Sequence, residues 1–245
     1  MIEDMINING KIIPESLKKS KDNWPVLFVG LVYSILLIFM FSLAMIFRIL
    51  GGIIIALGQS AIFSNYLYLI ENVVVYNRTR LNEFKYGFKA YFLKVYGVVF
   101  LFWFVGYTID LFFSPLLRIG MGGLSLKLIL DLIILILLNP LPEVIYQKQY
   151  DILGSIQYSF DFIRENALEW FVPNIILGIL LYLAMGKFLS INSLLSGGIY
   201  MKAGNIVGYI LGQVVLFFTM IYRGLLFKLL SNSSRKKRKF MRNMY

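Results

Sequence analysis

The sequence predicts an all-α polytopic membrane protein with six transmembrane helices, arranged as three helical hairpins each preceded by a cytoplasmic amphipathic interfacial helix. Three observations carry that prediction. Of the 245 residues, 59% are hydrophobic and only 15% charged, whereas a soluble domain is about half apolar and a quarter charged. Six stretches approach the roughly 20 apolar residues that cross a bilayer as a helix. Lysine and arginine alternate between rich and poor connections along the chain.

The first span, Trp24–Phe47, follows a polar, partly acidic start. It is too long for the core of a cleaved signal, so it is expected to stay as an anchor. The second, Gly51–Ile70, ends at Glu71. Next comes "RLNEFKYGFKAYFLKV", Arg80 to Val95. Leu81, Phe84, Phe88, Tyr91 and Val95 recur at helical spacing, with Asn82, Lys85 and Lys89 opposite. That pattern predicts a helix in the headgroup plane, aromatics toward the bilayer, Lys85 and Lys89 on anionic lipid phosphates. Lys94 would snorkel as the chain enters the third span, Val95–Phe113.

The fourth span, Leu124–Leu141, is interrupted by Asp131, Asn139, Pro140 and Pro142. "LNPLPEV", Leu138 to Val144, is expected to end the helix at the interface, because proline biases its predecessor out of the helical region. The alternative is a broken helix of the kind that builds transport sites, with Asn139 in it. "DILGSIQYSFDFIREN", Asp151 to Asn166, is a second interfacial segment with Leu153, Ile156, Phe160 and Ile163 as its apolar face. Leu168–Phe188 and Ala203–Leu226 complete the six. Residues 1–230 read as one membrane domain and 231–245 as a basic tail.

Nineteen of the 24 lysines and arginines fall on one side of this arrangement and five on the other. The positive-inside rule then puts both termini in the cytoplasm at the cell membrane. The net charge of +11 therefore reads as topology and attraction to anionic headgroups, with no specific nucleic acid implied. The tail residues Arg235, Lys236, Lys237, Arg238 and Lys239 extend it, each charge worth about 1 kcal/mol near an anionic surface.

A shift of 72 residues aligns the two interfacial segments without a gap: Glu71 meets Glu143, Leu81 meets Leu153, Tyr86 meets Tyr158, Phe88 meets Phe160 and Gly106 meets Gly178. A weaker version precedes the first span, where "SLKKS" (Ser16–Ser20) matches "SIQYS" (Ser155–Ser159). Asn23 and Asn166 each precede a membrane entry. Gly pairs mark the outer turns at Gly51–Gly52, Gly122–Gly123 and Gly197–Gly198. The units would be residues 12–71, 79–143 and 151–226. This layout, a Ser-x-x-x-Ser amphipathic helix and an Asn before a membrane hairpin, resembles a broad group of six-helix bacterial membrane proteins. The group includes the membrane domain ahead of some glycerophosphodiester phosphodiesterases. The resemblance implies the fold and leaves activity open, since that group's catalytic domain has no counterpart here.

With no Cys and no His, thiolate and imidazole metal sites and a His base are excluded within this chain. There is no Gly-x-Gly-Asp, Gly-x-Ser-x-Gly or P-loop motif. A non-enzymatic protein without cofactors is expected, a scaffold or transport-associated protein acting on lipids, peptides or partner membrane proteins. The alternative is the permease half of an export ABC transporter, with Arg80–Val95 as coupling helix to an ATPase. Candidate binding or ion-pathway residues are the acids that would lie in or beside the bilayer, where a charge costs about 2.5–3.5 kcal/mol on insertion scales. Asp110 and Asp131 are expected to face each other or an outer vestibule, with Arg118 and Lys127 as partners. Glu71 and Glu143 mark equivalent span ends. They are expected to accept bonds from the following interfacial helix or to pair with Arg78, Arg80 or Lys148.

The orientation is open to direct test in this Cys-free chain. Cysteines placed at Gly52, Gly122 and Ser196 should react with an impermeant thiol reagent from outside, and cysteines at Asn82, Gln157 and Ser233 should not. Labelling of position 82 from outside would reverse the topology.

Overall fold

The computed structural model describes residues 2–79, 81–117, 120–121, 124–185 and 206–232. In order, they form α1 (Ile2–Asp22), a 3₁₀ turn (Trp24–Phe28), α2 (Val29–Phe47), a 3₁₀ turn (Arg48–Leu50) and α3 (Gly51–Glu71), which runs on as a π-helical turn (Asn72–Tyr76). Then come α4 (Leu81–Ala90), α5 (Phe92–Leu117), a pair of two-residue strands (Gly120–Met121, Leu124–Ser125), α6 (Leu126–Leu137), α7 (Leu141–Gln147), α8 (Ile152–Met185) and α9 (Ile206–Asn232). Six helical segments are long and apolar enough to cross a membrane: Trp24–Phe47, Gly51–Tyr76, Glu83–Phe113, Leu126–Gln147, Ile152–Ala184 and Gly208–Asn232. The chain is thus an all-α, multi-pass membrane protein. The outer turn at 196–198, the end of the fifth span and the start of the sixth lie outside the described residues, as do the tail lysines and arginines.

The helices that precede spans bend into them by local hydrogen bonding. In α1 the Ser16 hydroxyl donates to Ile12 O (2.8 Å), Ser20 to Ser16 O (2.7 Å) and the Asn23 amide to Lys19 O (3.0 Å). In α8 Ser155 donates to Asp151 O (2.7 Å), Ser159 to Ser155 O (2.8 Å) and Asn166 to Phe162 O (3.1 Å). A side chain that bonds its own carbonyl four residues back needs no outside partner, so these small residues can be buried. Ser16, Ser155, Ser159, Asn23 and Asn166 are all buried. The bond comes with a break. Asn23 (φ −117°, ψ 31°) and Asn166 (φ −127°, ψ 19°) leave the helical region in nearly the same way.

Between α4 and α5 a different residue makes the bend. The Ser64 hydroxyl on α3 donates to Gly87 O (2.7 Å) and accepts from the Tyr91 N–H (2.8 Å). Gly87 and Tyr91 are four apart, so Ser64 has inserted itself into a helical hydrogen bond, a recognised cause of a sharp kink. The adjacent Asn65 donates to Phe84 O and accepts from the Tyr33 hydroxyl. Phe84 stacks on Tyr33, and Phe88 and Tyr91 pack on the core. The aromatic face expected to lie against lipid is therefore turned onto the protein, while Lys85 and Lys89 remain exposed. The expected apolar face of α8 is divided, with Ile156 and Ile163 on the core. Leu153 and Phe160 are exposed, and Phe162 and Ile163 are buried beside the two serines. Back-bonded serine packs as a small residue, which polarity alone hides.

Each span that returns to this end packs on the next helix there: α3 on α4, α7 on α8, and α9 on α1, which closes the ring. Helix α9 is the axis of the bundle. Within its apolar window 72% of residues are buried inside the protein, against 11% for Glu83–Phe113. At the opposite extreme, α6 buries none of its residues. The prolines do not end the fourth span as expected. The chain turns over Leu138–Pro140 and resumes as α7, whose residues Leu141–Tyr146 are all buried. Two carbonyls left over by the π turn, Val73 O and Val74 O, accept from Lys19 Nζ at 3.2 and 3.3 Å. Burial lowers the pKa of Lys19, with Glu15 opposing that shift.

If Ser64 makes the α4–α5 bend, Ser64→Ala should let Gly87 O and Tyr91 N–H pair directly and straighten the helix. Spin labels at positions 85 and 108 should then move apart toward the roughly 35 Å of a continuous helix of that length. An unchanged distance would assign the bend to another contact.

Candidate functional site: a buried arginine–glutamate pair at the helix break

The turn Leu138–Pro140 and the first turn of α7 present Asn139 and Glu143 toward α9, where Arg223 meets them. Arg223 Nε donates to Glu143 Oε1 (2.7 Å) and Nη2 to Oε2 (2.9 Å), a two-pronged pair. Nη1 donates to Asn139 Oδ1 (3.1 Å) and Nη2 to the Asn139 main-chain oxygen (2.7 Å). That carbonyl is available because the helix is broken there. The guanidinium carbon lies 4.9 Å from the centre of the Trp170 ring, and Trp170 Nε1 donates to Asn139 Oδ1 (2.9 Å). Glu143 is 0% exposed, Trp170 0% and Arg223 3%. The planar fork of arginine suits this place, matching a carboxylate at two points and stacking on an aromatic face.

The surrounding layer is polar as well. Tyr146 is buried one turn from Glu143, and Gln147 Nε2 donates to Gly224 O (2.9 Å). Gly224 is required by close approach: a Cβ there would sit 2.5 Å from the Tyr146 hydroxyl oxygen and 2.8 Å from Val74 Cγ2. Glu71 accepts from the Tyr91 hydroxyl, which also lies 3.5 Å from Tyr146 O. The two glutamates are thus joined through Tyr91 and the backbone of α7. Beside this layer the Lys148 ammonium lies 5.5 Å from the Tyr158 ring centre and 5.9 Å from that of Phe227. Burial lowers its pKa.

The expectations divide as follows. Glu71 does accept from the segment that follows it, through Tyr91. Glu143 pairs with Arg223 and not with Arg78 or Lys148, and Arg80 lies outside the described residues. Asn139 belongs to the site, as an acceptor rather than as part of a pathway. Asp110 and Asp131 are elsewhere. Asp110 pairs with Lys127 at 2.8 Å, each side chain about half exposed. Asp131 is exposed on α6. Lys127 therefore goes to Asp110, and Arg118 lies outside the described residues.

Arg223, Trp170, Ser64 and Asn65 were not singled out by sequence reasoning. Arg223 is one of the nineteen lysines and arginines that the charge split reads as topology. Its signal is present in "FFTMIYRGLLF", Phe217 to Phe227, where one charge followed by glycine interrupts an apolar run. A charge inside a span demands a partner.

The fold and this site define an integral helical-bundle membrane protein whose central helix is pinned by a buried ion pair. No protein-family model matches the chain, and no curated protein and no solved structure matches it.

Proposed function

We propose that this protein is a non-enzymatic membrane scaffold or transport-associated protein, working on lipids, peptides or partner membrane helices. It is built as three units, each a cytoplasmic helix followed by an outgoing and a returning span, with both termini cytoplasmic in the cell membrane. The matched bends at Asn23 and Asn166 and the ring closure of α9 on α1 support the three-unit reading. They also favour the resemblance to the six-helix bacterial group.

One observation carries the functional reading. The charges at the centre of the bundle satisfy one another: Arg223 engages Glu143 through two donors and Asn139 through two more. Groups so engaged read as structural, because removing either partner would strand a buried charge. The helix break that could have opened a transport site is instead filled by the guanidinium. The ABC-permease alternative needs a coupling helix that projects to an ATPase. Here α4 is held down on α3 by Ser64 and Asn65, which weighs against it.

The discriminating experiment is capture of the full-length protein in mild detergent, with mass spectrometry of everything retained. The scaffold reading expects lipids and membrane proteins and no stoichiometric ATPase. An ATPase recovered in a fixed ratio, with ATP hydrolysis that depends on this chain, would replace it with the permease reading.

A further inference from the structure

Between α1 and the pair α8–α9 runs an open groove of about 450 Å³. That volume lies within the range of about 300–1,000 Å³ usual for small-molecule sites. It begins at Ser20 and Lys21, where α1 ends, passes Trp24, and continues between Leu177 and Leu180 on α8 and Val214 and Phe218 on α9. Among the described residues, Lys21 is the only charged residue lining it. The Ser20 hydroxyl is already engaged with Ser16 O, so the groove offers a polar solute almost nothing. Its apolar lining is nevertheless open: Trp24 is 58% exposed and Leu180 49%.

The occupant must therefore be apolar along its length and anionic at one end. The polar end belongs at Lys21, beside the point where the first span begins at Trp24. A partner helix fits poorly. At about 10–12 Å across, a helix would place little more than a single turn in this volume. A flexible acyl chain fills an irregular slot without that demand. We infer that the groove binds one chain of an anionic phospholipid, with the Lys21 ammonium on its phosphate. This deepens the proposed function by naming a lipid class and a place for it.

The test is native mass spectrometry of the purified full chain, washed in lipid-free detergent and then offered equimolar phosphatidylglycerol and phosphatidylcholine. One phosphatidylglycerol per chain should be retained in preference. Lys21→Gln should lower that preference about fivefold, the equivalent of about 1 kcal/mol for one lysine at an anionic surface. Leu180→Trp, at a half-exposed position, should block the slot and lose both lipids while the thermal midpoint stays at the wild-type value. Equal retention of both lipids by the wild type would overturn the site. So would an undiminished preference in Lys21→Gln, or lipid held by a folded Leu180→Trp protein, or displacement by an apolar helical peptide. Failure of the broader reading looks different: chemical conversion of the retained lipid would refute a non-enzymatic protein and leave this site standing.

Discussion

The centre of the bundle has to accommodate a buried ion pair. Arg223 sits in the most enclosed helix, 3% exposed, with Glu143 at 0%. Taking two ions out of water costs several kcal/mol each, and good geometry with every remaining donor engaged is what offsets it. That requirement explains the oddities around it. The fourth span breaks at Asn139–Pro140, and the broken turn supplies a carbonyl that an intact helix would have used internally. Trp170 lies flat beside the guanidinium and fixes Asn139 through its own N–H. Gly224 lets α9 come close enough to Tyr146 and Val74 for these distances to hold.

The rest of the packing follows a second constraint, that backbone and hydroxyl groups be satisfied without water. Serines and asparagines in α1 and α8 bond carbonyls one turn back and so can lie buried. Ser64 does the same work between helices, holding α4 on α3 while bending the chain into α5. Lys19 caps carbonyls that the π turn leaves over. These devices tie each returning span to the next helix. By contrast the charges of Asp110, Lys127 and Asp131 are exposed on the α5–α6 pair, where α6 buries none of its residues.

Much of the fold was legible because apolar length is a strong signal: the first span matches to the residue, and all six are found. Faces were harder to read. Helical spacing picked out Leu153, Ile156, Phe160 and Ile163 as one apolar face of α8, yet the buried face also runs through Ser155 and Ser159. A serine that bonds its own helix looks polar in a sequence and apolar in a fold. The site was half legible. Glu71, Glu143 and Asn139 stand out as polar residues at span ends, but the partner of Glu143 lies 80 residues on, in another helix. Basic residues near a terminus read as topology, and that reading masked the structural role of Arg223. Pro140 and Pro142 by local rules end a helix. No local rule foretells that a distant guanidinium would make a broken one worth keeping.

The account rests on Arg223 and Glu143 acting as a unit, and a double-mutant cycle on unfolding free energy measures that directly. Glu143→Leu and Arg223→Met should each cost about 3–5 kcal/mol, because each strands a buried charge. The double variant should recover most of that loss, since it leaves neither charge of the pair stranded. Single variants that unfold within about 1 kcal/mol of wild type, or a double variant whose loss equals the sum of the two, would contradict it.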